Sequence, residues 1–325
     1  MMGDGLYRVV FMGTPDFAVP SLRALAARSD CVVAAVVTQP DKPVGRKRVL
    51  TPPPVKRVAQ ELGLSVWQPQ KVGADDVINQ LREVKPDVIV TAAYGQLLPQ
   101  RLLDIPTRGC LNVHASLLPR WRGAAPIHRA ILAGDAETGV TIMEMVRALD
   151  AGPIVGVEKV AIAEDDNVGT LHDRLAEVGA RLLMQVLPGY LDGSITPTPQ
   201  PEEGVTYADR ILRSDEFVDW RRPTDAVYNH IRGLSPWPGA VTTWNGLDVK
   251  IWAAERVPGE VIGSAPAEPG QVRNVAGVGI CVRTGDGWLK LKQVQPSGKR
   301  PMSADDWFRG IAAETVQFQA SEVKA

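Results

Sequence analysis

The stretch LYRVVFMGTPDFAVPSLRALAARSDCVVAAVVT, residues 6–38, carries the pattern that decides the fold. Residues 6–12 are short and mostly apolar, which predicts a strand that ends at the turn residues Gly13-Thr14-Pro15. Residues 17–27 then have apolar side chains at helical spacing, and residues 31–38 form a second apolar, β-branched run. A strand, a helix and a strand in this order predict a parallel βαβ unit.

The same alternation continues through the first half of the chain. Further strands are predicted at residues 87–91, 109–115, 140–146 and 154–162, and helices at 54–62, 74–84, 124–133 and 168–187. Strands that are apolar almost throughout are covered on both faces. The pattern therefore predicts an α/β fold with a doubly wound, mostly parallel sheet.

The composition changes after this region. Residues 192–204 place Pro197, Pro199 and Pro201 among polar residues, which is typical of an extended linker. One helix at 224–232 and five short strands at 240–244, 249–254, 271–275, 279–282 and 289–294 follow, and they predict a small β-barrel. The predicted divisions are an α/β domain at 1–191, a linker at 192–207, a barrel domain at 208–316 and a tail at 317–325.

Composition and charge exclude several classes of protein. The chain has 325 residues, 45% hydrophobic and 22% charged, and a net charge of −1, so it is neither globally basic nor disordered. Its three cysteines are far apart and form no CxxC pair, which suits a reducing compartment and no disulfide framework. We expect no signal peptide at residues 1–5 and no membrane span, because no apolar run approaches about 20 residues.

The strand and loop CLNVHASLLP, residues 110–119, hold the strongest candidate site. Alternation along a strand places Asn112, His114 and Ser116 on one face. A half-exposed strand with one polar face is the alternative reading. In a sheet covered on both faces, however, such a polar line is costly unless a cleft opens onto it. Ligand clefts in these sheets lie at the carboxyl ends of strands, which is where this run ends.

Asp150 follows another predicted strand and precedes the turn Gly152-Pro153. It is either a turn aspartate or a carboxylate able to reach His114. Neither His128 nor His172 lies at metal-ligand spacing from another histidine, so we predict no metal site. The turn at Gly13 lacks GxGxxG, which disfavours a dinucleotide cofactor.

A basic run begins after the second predicted strand. Between residues 42 and 57 the basic side chains are Lys42, Arg46, Lys47, Arg48, Lys56 and Arg57, with no acidic residue among them. Such a run is either a solvated surface or a loop that binds a polyanion beside the site.

These motifs together resemble one known family. They are FMGTPDF at 11–17, TQPD at 38–41, NVHASLLP at 112–119 with RG at 122–123, LDAG at 149–152 and SPWPG at 235–239. In this order and over nearly the whole length, they are similar to the methionyl-tRNA formyltransferases.

The resemblance implies a function in translation initiation, in which 10-formyltetrahydrofolate donates a formyl group to the α-amine of methionine on initiator tRNA. It implies catalytic roles for Asn112, His114 and Asp150, and folate contacts by Ser116, Leu117, Leu118 and Pro119. It also assigns the acceptor stem to the loop with Lys42, Arg46, Lys47 and Arg48, and the tRNA body to an OB-like barrel. We expect a cytoplasmic monomer that binds neither DNA nor a membrane.

Two other functions stay open at this point. A folate-dependent formyltransferase acting on a small amine would share the three catalytic residues, but it leaves the basic loop and the barrel unexplained. A non-catalytic RNA-binding module would not need the polar trio. The barrel offers little electrostatic support for RNA, since residues 205–325 hold 15 Lys+Arg against 14 Asp+Glu.

Overall fold

The computed structural model describes residues 6–45, 47–258, 267–311 and 315–319. Its strands are β1 Tyr7–Gly13, β2 Cys31–Val37, β3 Lys42–Val44, β4 Val49–Thr51, β5 Val66–Trp67, β6 Val88–Ala92, β7 Cys110–His114, β8 Arg122–Gly123, β9 Glu137–Glu144, β10 Ile154–Ala161, β11 Tyr207–Ala208, β12 Ala240–Trp244, β13 Leu247–Arg256, β14 Gln271–Val275, β15 Gly279–Arg283, β16 Trp288–Pro296, β17 Met302–Ser303 and β18 Thr315–Gln317. Its α-helices are α1 Val19–Ala26, α2 Pro54–Glu61, α3 Asp75–Val84, α4 Gln100–Leu103, α5 Pro126–Ala133, α6 Val168–Asp192, α7 Thr224–Gly233 and α8 Ala304–Arg309.

The described residues form two compact units. Unit 1 contains Met1–Pro126, Glu137–Ala161 and His172–Ala208, and unit 2 contains Ile127–Ala136, Ile162–Leu171 and Asp209–Ala325. Two segments that precede residue 191 in the chain thus belong to unit 2. The four segments predicted from the sequence, and the three boundaries between them, stay predictions.

Unit 1 is built on a seven-stranded sheet in the order β10-β9-β7-β6-β1-β2-β5. The pairs from β5 through β7 are parallel, whereas β9 and β10 are antiparallel additions at one side. β1 lies between β6 and β2, and its Val9–Met12 segment is fully buried. The predicted fold class, a mostly parallel α/β sheet, is confirmed, and every long predicted strand is present within a few residues.

The structure adds strands that the sequence pattern did not predict. β3, β4, β5, β8, β11, β17 and β18 each have two or three residues. The side chains of a strand repeat every two residues, so a strand of two or three residues is too short to show a hydrophobic period in the sequence. The hairpin β3–β4 lies in the region that we predicted only as a basic loop.

Helix α6 runs past the predicted end, through Pro188 to Asp192. A proline has no N–H, so Pro188 leaves the carbonyl of Met184, four residues earlier, without its helical donor. The guanidinium Nη1 of Arg28 lies 3.5 Å from that oxygen and supplies a replacement donor. This contact comes from a distant part of the chain and could not be predicted locally.

Unit 2 is a curled antiparallel half-barrel of seven strands in the order β12-β13-β16-β15-β14-β18, with β17 paired to β16. Its core contains an aromatic stack, in which the Trp220 and Trp307 rings each stack on Phe318 with centroids 5.6 Å apart. Trp220 is fully buried, and its indole N–H donates to Thr242 Oγ1 at 2.9 Å. The predicted small β-barrel is confirmed as this half-barrel.

The three cysteines are buried free thiols. Burial raises the pKa of Cys110 to about 12 and that of Cys281 to about 11, so neither is a thiolate near neutral pH. No helix among the described residues combines the length and apolar character needed to cross a membrane. Likewise, no three His, Cys, Asp or Glu side chains of the described part cluster as metal ligands.

We predict an acid-sensitive step in unit 2 at His230. Burial lowers the pKa of this imidazole, and the charge of Arg222 acts in the same direction. The unfolded chain binds a proton near pH 6.5 that the folded chain does not, so the free energy of unfolding falls as pH drops through and below about 6.5. Urea unfolding followed by tryptophan fluorescence at pH 7.5 and 5.5 measures this loss, because six of the eight tryptophans lie in unit 2. His230→Gln should reduce the difference between the free energies of unfolding at pH 7.5 and pH 5.5. The same difference as in the wild-type protein would contradict the assignment to His230.

Candidate active site

The carboxyl ends of the parallel strands meet at one edge of the unit 1 sheet. Thr14 follows β1, and its Oγ1 donates to the carbonyl of Tyr94, which follows β6, at 2.8 Å. The backbone N–H of Gln39, after β2, donates to the same Thr14 oxygen at 3.3 Å. One hydroxyl therefore joins the loops of three neighbouring strands at this edge, where ligands bind in such sheets.

Asn112 lies on β7 with its side chain half-buried. The Oγ1 of Thr91, on the adjacent strand β6, donates to Asn112 Oδ1 at 2.8 Å. This contact uses the amide oxygen as an acceptor, so Nδ2 remains as the donor group of the side chain. Asn112 is thus oriented to donate a hydrogen bond to an oxygen at the sheet edge.

His114 lies two residues further along β7, on the same face of the strand. The residue is 5% exposed, and its Nε2 is 2.9 Å from the carbonyl oxygen of Trp121. A carbonyl only accepts hydrogen bonds, so Nε2 carries the ring proton and Nδ1 is the nitrogen whose lone pair can accept a hydrogen bond or a proton. Nδ1 faces the Asp150 carboxylate, with Oδ2 at 3.7 Å.

Asp150 reaches this position through an unusual backbone conformation. Its φ angle of 45° lies in the left-handed region, which non-glycine residues rarely adopt. The backbone N–H of Gly123 donates to Asp150 Oδ2 at 2.8 Å and fixes the carboxylate. The same carboxyl oxygen therefore contacts both a backbone amide and the imidazole of His114.

Position 152 requires a glycine because there is no room for a side chain, and not because of its φ angle. A Cβ at this position would lie 1.8 Å from the carbonyl oxygen of Glu144. The loop after β9 therefore packs against its own strand, and only a glycine permits this approach. The close packing at Gly152 lets the chain turn back after β9, with Asp150 facing His114.

The loop after β7 holds the four residues predicted to contact folate. Ser116 is fully buried, and its hydroxyl donates to the carbonyl of Arg120 at 2.6 Å, so this hydroxyl is used within the loop. Thr141 Oγ1 donates to the Ser116 carbonyl at 2.7 Å and accepts from the Leu118 N–H at 3.1 Å. Leu117 and Pro119 are partly exposed beside them.

Three of the four predicted RNA-binding residues lie on the hairpin β3–β4. Lys42, Lys47 and Arg48 are exposed, and Arg46 lies outside the described residues. The hairpin also exposes three apolar side chains, with Val44 56%, Val49 59% and Leu50 64% accessible. It is therefore both basic and apolar, a property that counting charges alone did not reveal.

Lys56, which we counted in the basic run, is neutralised. Its Nζ lies 2.9 and 2.8 Å from the two carboxylate oxygens of Asp41. Asp41 precedes the run by one residue, so the sequence window that began at Lys42 omitted it. The exposed positive charge of the run consequently lies on the hairpin, at Lys42, Lys47 and Arg48, and at Arg57 on α2.

The structure also brings in residues that the sequence did not single out. Thr91 orients Asn112, and Gln200 binds the backbone on both sides of Ala151, donating to Asp150 O and Gly152 O. Gln200 lies between two prolines in the predicted linker, so no local pattern distinguished it. The contacts of Gln200 depend on the pairing of Thr198 with Ile154, which brings this segment back beside β10.

Comparison with known proteins agrees with this geometry. Residues 7–187 match the family Formyl transferase, and residues 210–312 match Formyl transferase, C-terminal domain. The chain is 53% identical over 311 residues to "Methionyl-tRNA formyltransferase" of Bacillus pumilus (strain SAFR-032), an alignment that covers 95% of this chain and 96% of that protein. The chain belongs to the methionyl-tRNA formyltransferase family.

Solved structures share the fold of this formyltransferase at low sequence identity. WlaRD, described as a sugar 3N-formyl transferase, has a TM-score of 0.63 at 17% identity over 92% of this chain and 100% of its own. HypX from Aquifex aeolicus in complex with tetrahydrofolic acid has a TM-score of 0.61 at 18% identity. That alignment covers 93% of this chain and 46% of HypX.

We predict that Gly152→Ala distorts the formyltransferase site. The added Cβ must displace either the Asp150 loop or the end of β9, and overpacking of this kind typically costs about 1–3 kcal/mol. We expect a lower thermal midpoint together with reduced formyl transfer. Gly310→Ala is the matched control, because the nearest atom to its Cβ is 3.4 Å away, an ordinary contact. Equal midpoints for the two variants would contradict the steric argument.

Proposed function

We propose that this chain transfers the formyl group of 10-formyltetrahydrofolate to the α-amine of methionine on initiator methionyl-tRNA. The observation that carries the proposal is the His114–Asp150 pair beside the oriented amide of Asn112, in a chain of this family. The product, N-formylmethionyl-tRNA, is used for translation initiation. A formyltransferase for a small amine is not favoured, because the relatives that match along 95% of the chain carry the methionyl-tRNA name.

The reaction needs oxyanion stabilisation more than it needs a strong base. A free α-amine has a pKa of about 7.7–8.0, so a substantial fraction is already neutral near pH 7.5. Its attack on the formyl carbon converts the carbonyl oxygen into an oxyanion. Asn112 supports this step because Thr91 holds Oδ1 and leaves Nδ2 to donate to that oxyanion.

His114 and Asp150 supply the second donor and the proton acceptor. Since Nε2 of His114 already donates to Trp121, Nδ1 is the atom that takes up a proton and donates toward the reaction centre. The Asp150 carboxylate, 3.7 Å away, stabilises the imidazolium that forms. The same carboxylate accepts, directly or through a water molecule, the proton that the amine loses as the new C–N bond forms. Collapse of the tetrahedral intermediate then breaks the bond between the formyl carbon and N10 of the folate, and N10 takes the Nδ1 proton of the His114 imidazolium and leaves as the amine of tetrahydrofolate.

Both substrates suit the surrounding surfaces. We assign the folate to the loop of Ser116, Leu117, Leu118 and Pro119, where the partly exposed Leu117 and Pro119 provide apolar contact. We assign the tRNA acceptor stem to the β3–β4 hairpin, whose exposed Lys42, Lys47 and Arg48 suit phosphates. Arg46 belongs to this assignment by its place in the sequence.

We assign residues 1–191 to the catalytic domain, residues 192–207 to the connection and residues 208–316 to the domain that contacts the tRNA body. We infer a monomer in the cytoplasm, because the substrate is a tRNA of translation and the three free cysteines suit a reducing compartment.

A formylation assay with 10-formyltetrahydrofolate as the sole donor tests the function. Formylation of an amino sugar nucleotide but not of initiator methionyl-tRNA would contradict it.

We predict that Asn112→Ala and His114→Ala each lower kcat by about 10²–10³-fold, because each removes one donor to the developing oxyanion. Single-turnover formylation of methionyl-tRNA measures the loss, and folate binding should be retained. His172→Ala is the matched control, since this histidine is in unit 1 and contacts Phe17 and Asp173. Wild-type turnover in either Asn112→Ala or His114→Ala would remove that residue from the mechanism.

We also predict that the double variant Lys47→Ala/Arg48→Ala raises KM for tRNA while leaving folate affinity unchanged. Two phosphate-facing cations should account for a slope of about 1.4–1.8 in log KM against log salt concentration. Lys159→Ala is the control, because Lys159 is paired with Glu137 at 2.8 Å on β9–β10. An unchanged KM and salt slope in the double variant would exclude the hairpin from tRNA binding.

A further inference from the structure

The Asp150 loop needs an external restraint. A non-glycine residue with φ of 45° costs free energy that the surrounding structure must offset. The side chain of Gln200 provides such a restraint: its Nε2 donates to the carbonyl oxygens of Asp150 and Gly152, both at 2.8 Å. These two bonds hold the backbone on both sides of Ala151.

Gln200 is itself held in one orientation. Its Oε1 accepts from Nε of Arg122 at 3.1 Å and from Nη2 at 2.6 Å. The guanidinium fork therefore fixes which end of the amide faces the two carbonyls, because only the NH₂ end can donate to them. The NH₂ group and the oxygen of the Gln200 amide are thus both hydrogen-bonded, and only one orientation of the side chain allows this.

Arg122 and its neighbour act on Asp150 by two routes. Through its side chain, Arg122 orients Gln200 and so the backbone of Asp150. Through the next peptide, the N–H of Gly123 donates to the Asp150 carboxylate at 2.8 Å. The backbone N–H of Arg122 is anchored in turn to the carbonyl of Thr206 at 2.9 Å. Backbone and carboxylate are thus restrained from the same two-residue strand β8.

The segment that carries Gln200 is fixed to the sheet of unit 1. Thr198 and Ile154 exchange backbone hydrogen bonds of 2.7 and 2.8 Å at the start of β10. A freely extended linker would not place an amide reproducibly within 2.8 Å of two carbonyls. The composition of this segment predicts a linker, whereas its contacts are those of a structured part of the site.

We propose that Gln200, clamped by Arg122, is a positioning residue that sets the Asp150 carboxylate against His114. This inference rests on the proposed function, in which Asp150 stabilises the imidazolium and accepts the amine proton. Gln200 touches neither substrate in this role, and it acts only through Asp150. Displacement of a reacting group by about 1 Å is enough to lower a rate about 10²-fold, so the clamp controls turnover more than substrate affinity.

The test uses Gln200→Met in the full-length protein. Methionine is close in length and volume to glutamine but can neither donate to the two carbonyls nor accept strongly from Arg122. We expect kcat to fall about 10–100-fold, while KM for folate and for tRNA stays within about twofold. Gln317→Met is the matched control, since Gln317 also donates to two carbonyls, those of Pro269 and Phe318, but in unit 2.

A double-variant comparison separates positioning from general stabilisation. If Gln200 acts through Asp150, then adding Gln200→Met to Asp150→Asn lowers kcat little beyond the single Asp150→Asn change. Wild-type kcat in Gln200→Met, or losses that multiply in the double variant, would overturn the inference. Wild-type kcat in Asp150→Asn would instead overturn the proposed catalytic trio.

A second variant guards against a folding defect. If Gln200→Met proves poorly folded, Arg122→Lys removes the fork that orients Gln200 while it keeps the positive charge. The same fall in kcat with unchanged KM is expected, again with no further loss in the Asp150→Asn background. If Arg122→Lys lowers kcat by the same factor in the wild-type protein and in the Asp150→Asn variant, the clamp serves the fold alone.

Discussion

Parallel pairing of β1, β6 and β7 is the constraint on which the site depends. Parallel strands end at the same edge of a sheet, so the residues that follow each strand are brought together there. The register pairs Thr91 with Asn112 across β6 and β7, which is why a threonine hydroxyl reaches the amide oxygen of that asparagine. A shift of one residue in β7 would turn Asn112 and His114 to the opposite face.

The antiparallel strand β9 completes the site by a different physical means. It pairs with β7 so that Thr141 lies opposite His114. Thr141 then ties the loop after β7 through two hydrogen bonds, while Gly152 lets the loop after β9 pack closely against Glu144. Asp150 reaches His114 because close packing and backbone hydrogen bonds hold a left-handed residue in place. The site is therefore assembled from several weak, mutually dependent contacts.

Much of the fold and the polar centre could be predicted from local pattern. Apolar runs identified the long strands, and the alternation along residues 110–119 was enough to place Asn112 and His114 on one face of a strand. The short strands, the passage of α6 through Pro188 and the pairing of Lys56 with Asp41 could not be predicted in this way. Each of these depends on a partner outside the local window, such as the Arg28 donor near Met184 O.

The sequence by itself determined the two fold classes, the polar face of β7 and the basic character of the region after β2, because periodicity and composition are local properties. Only the tertiary structure decided that Asp150 meets the imidazole, that the Ser116 hydroxyl is used inside its loop, and that Gln200 is fixed against the site. These outcomes depend on which distant backbone groups come within about 3 Å of each other. No spacing of residues along the chain specifies such a distance.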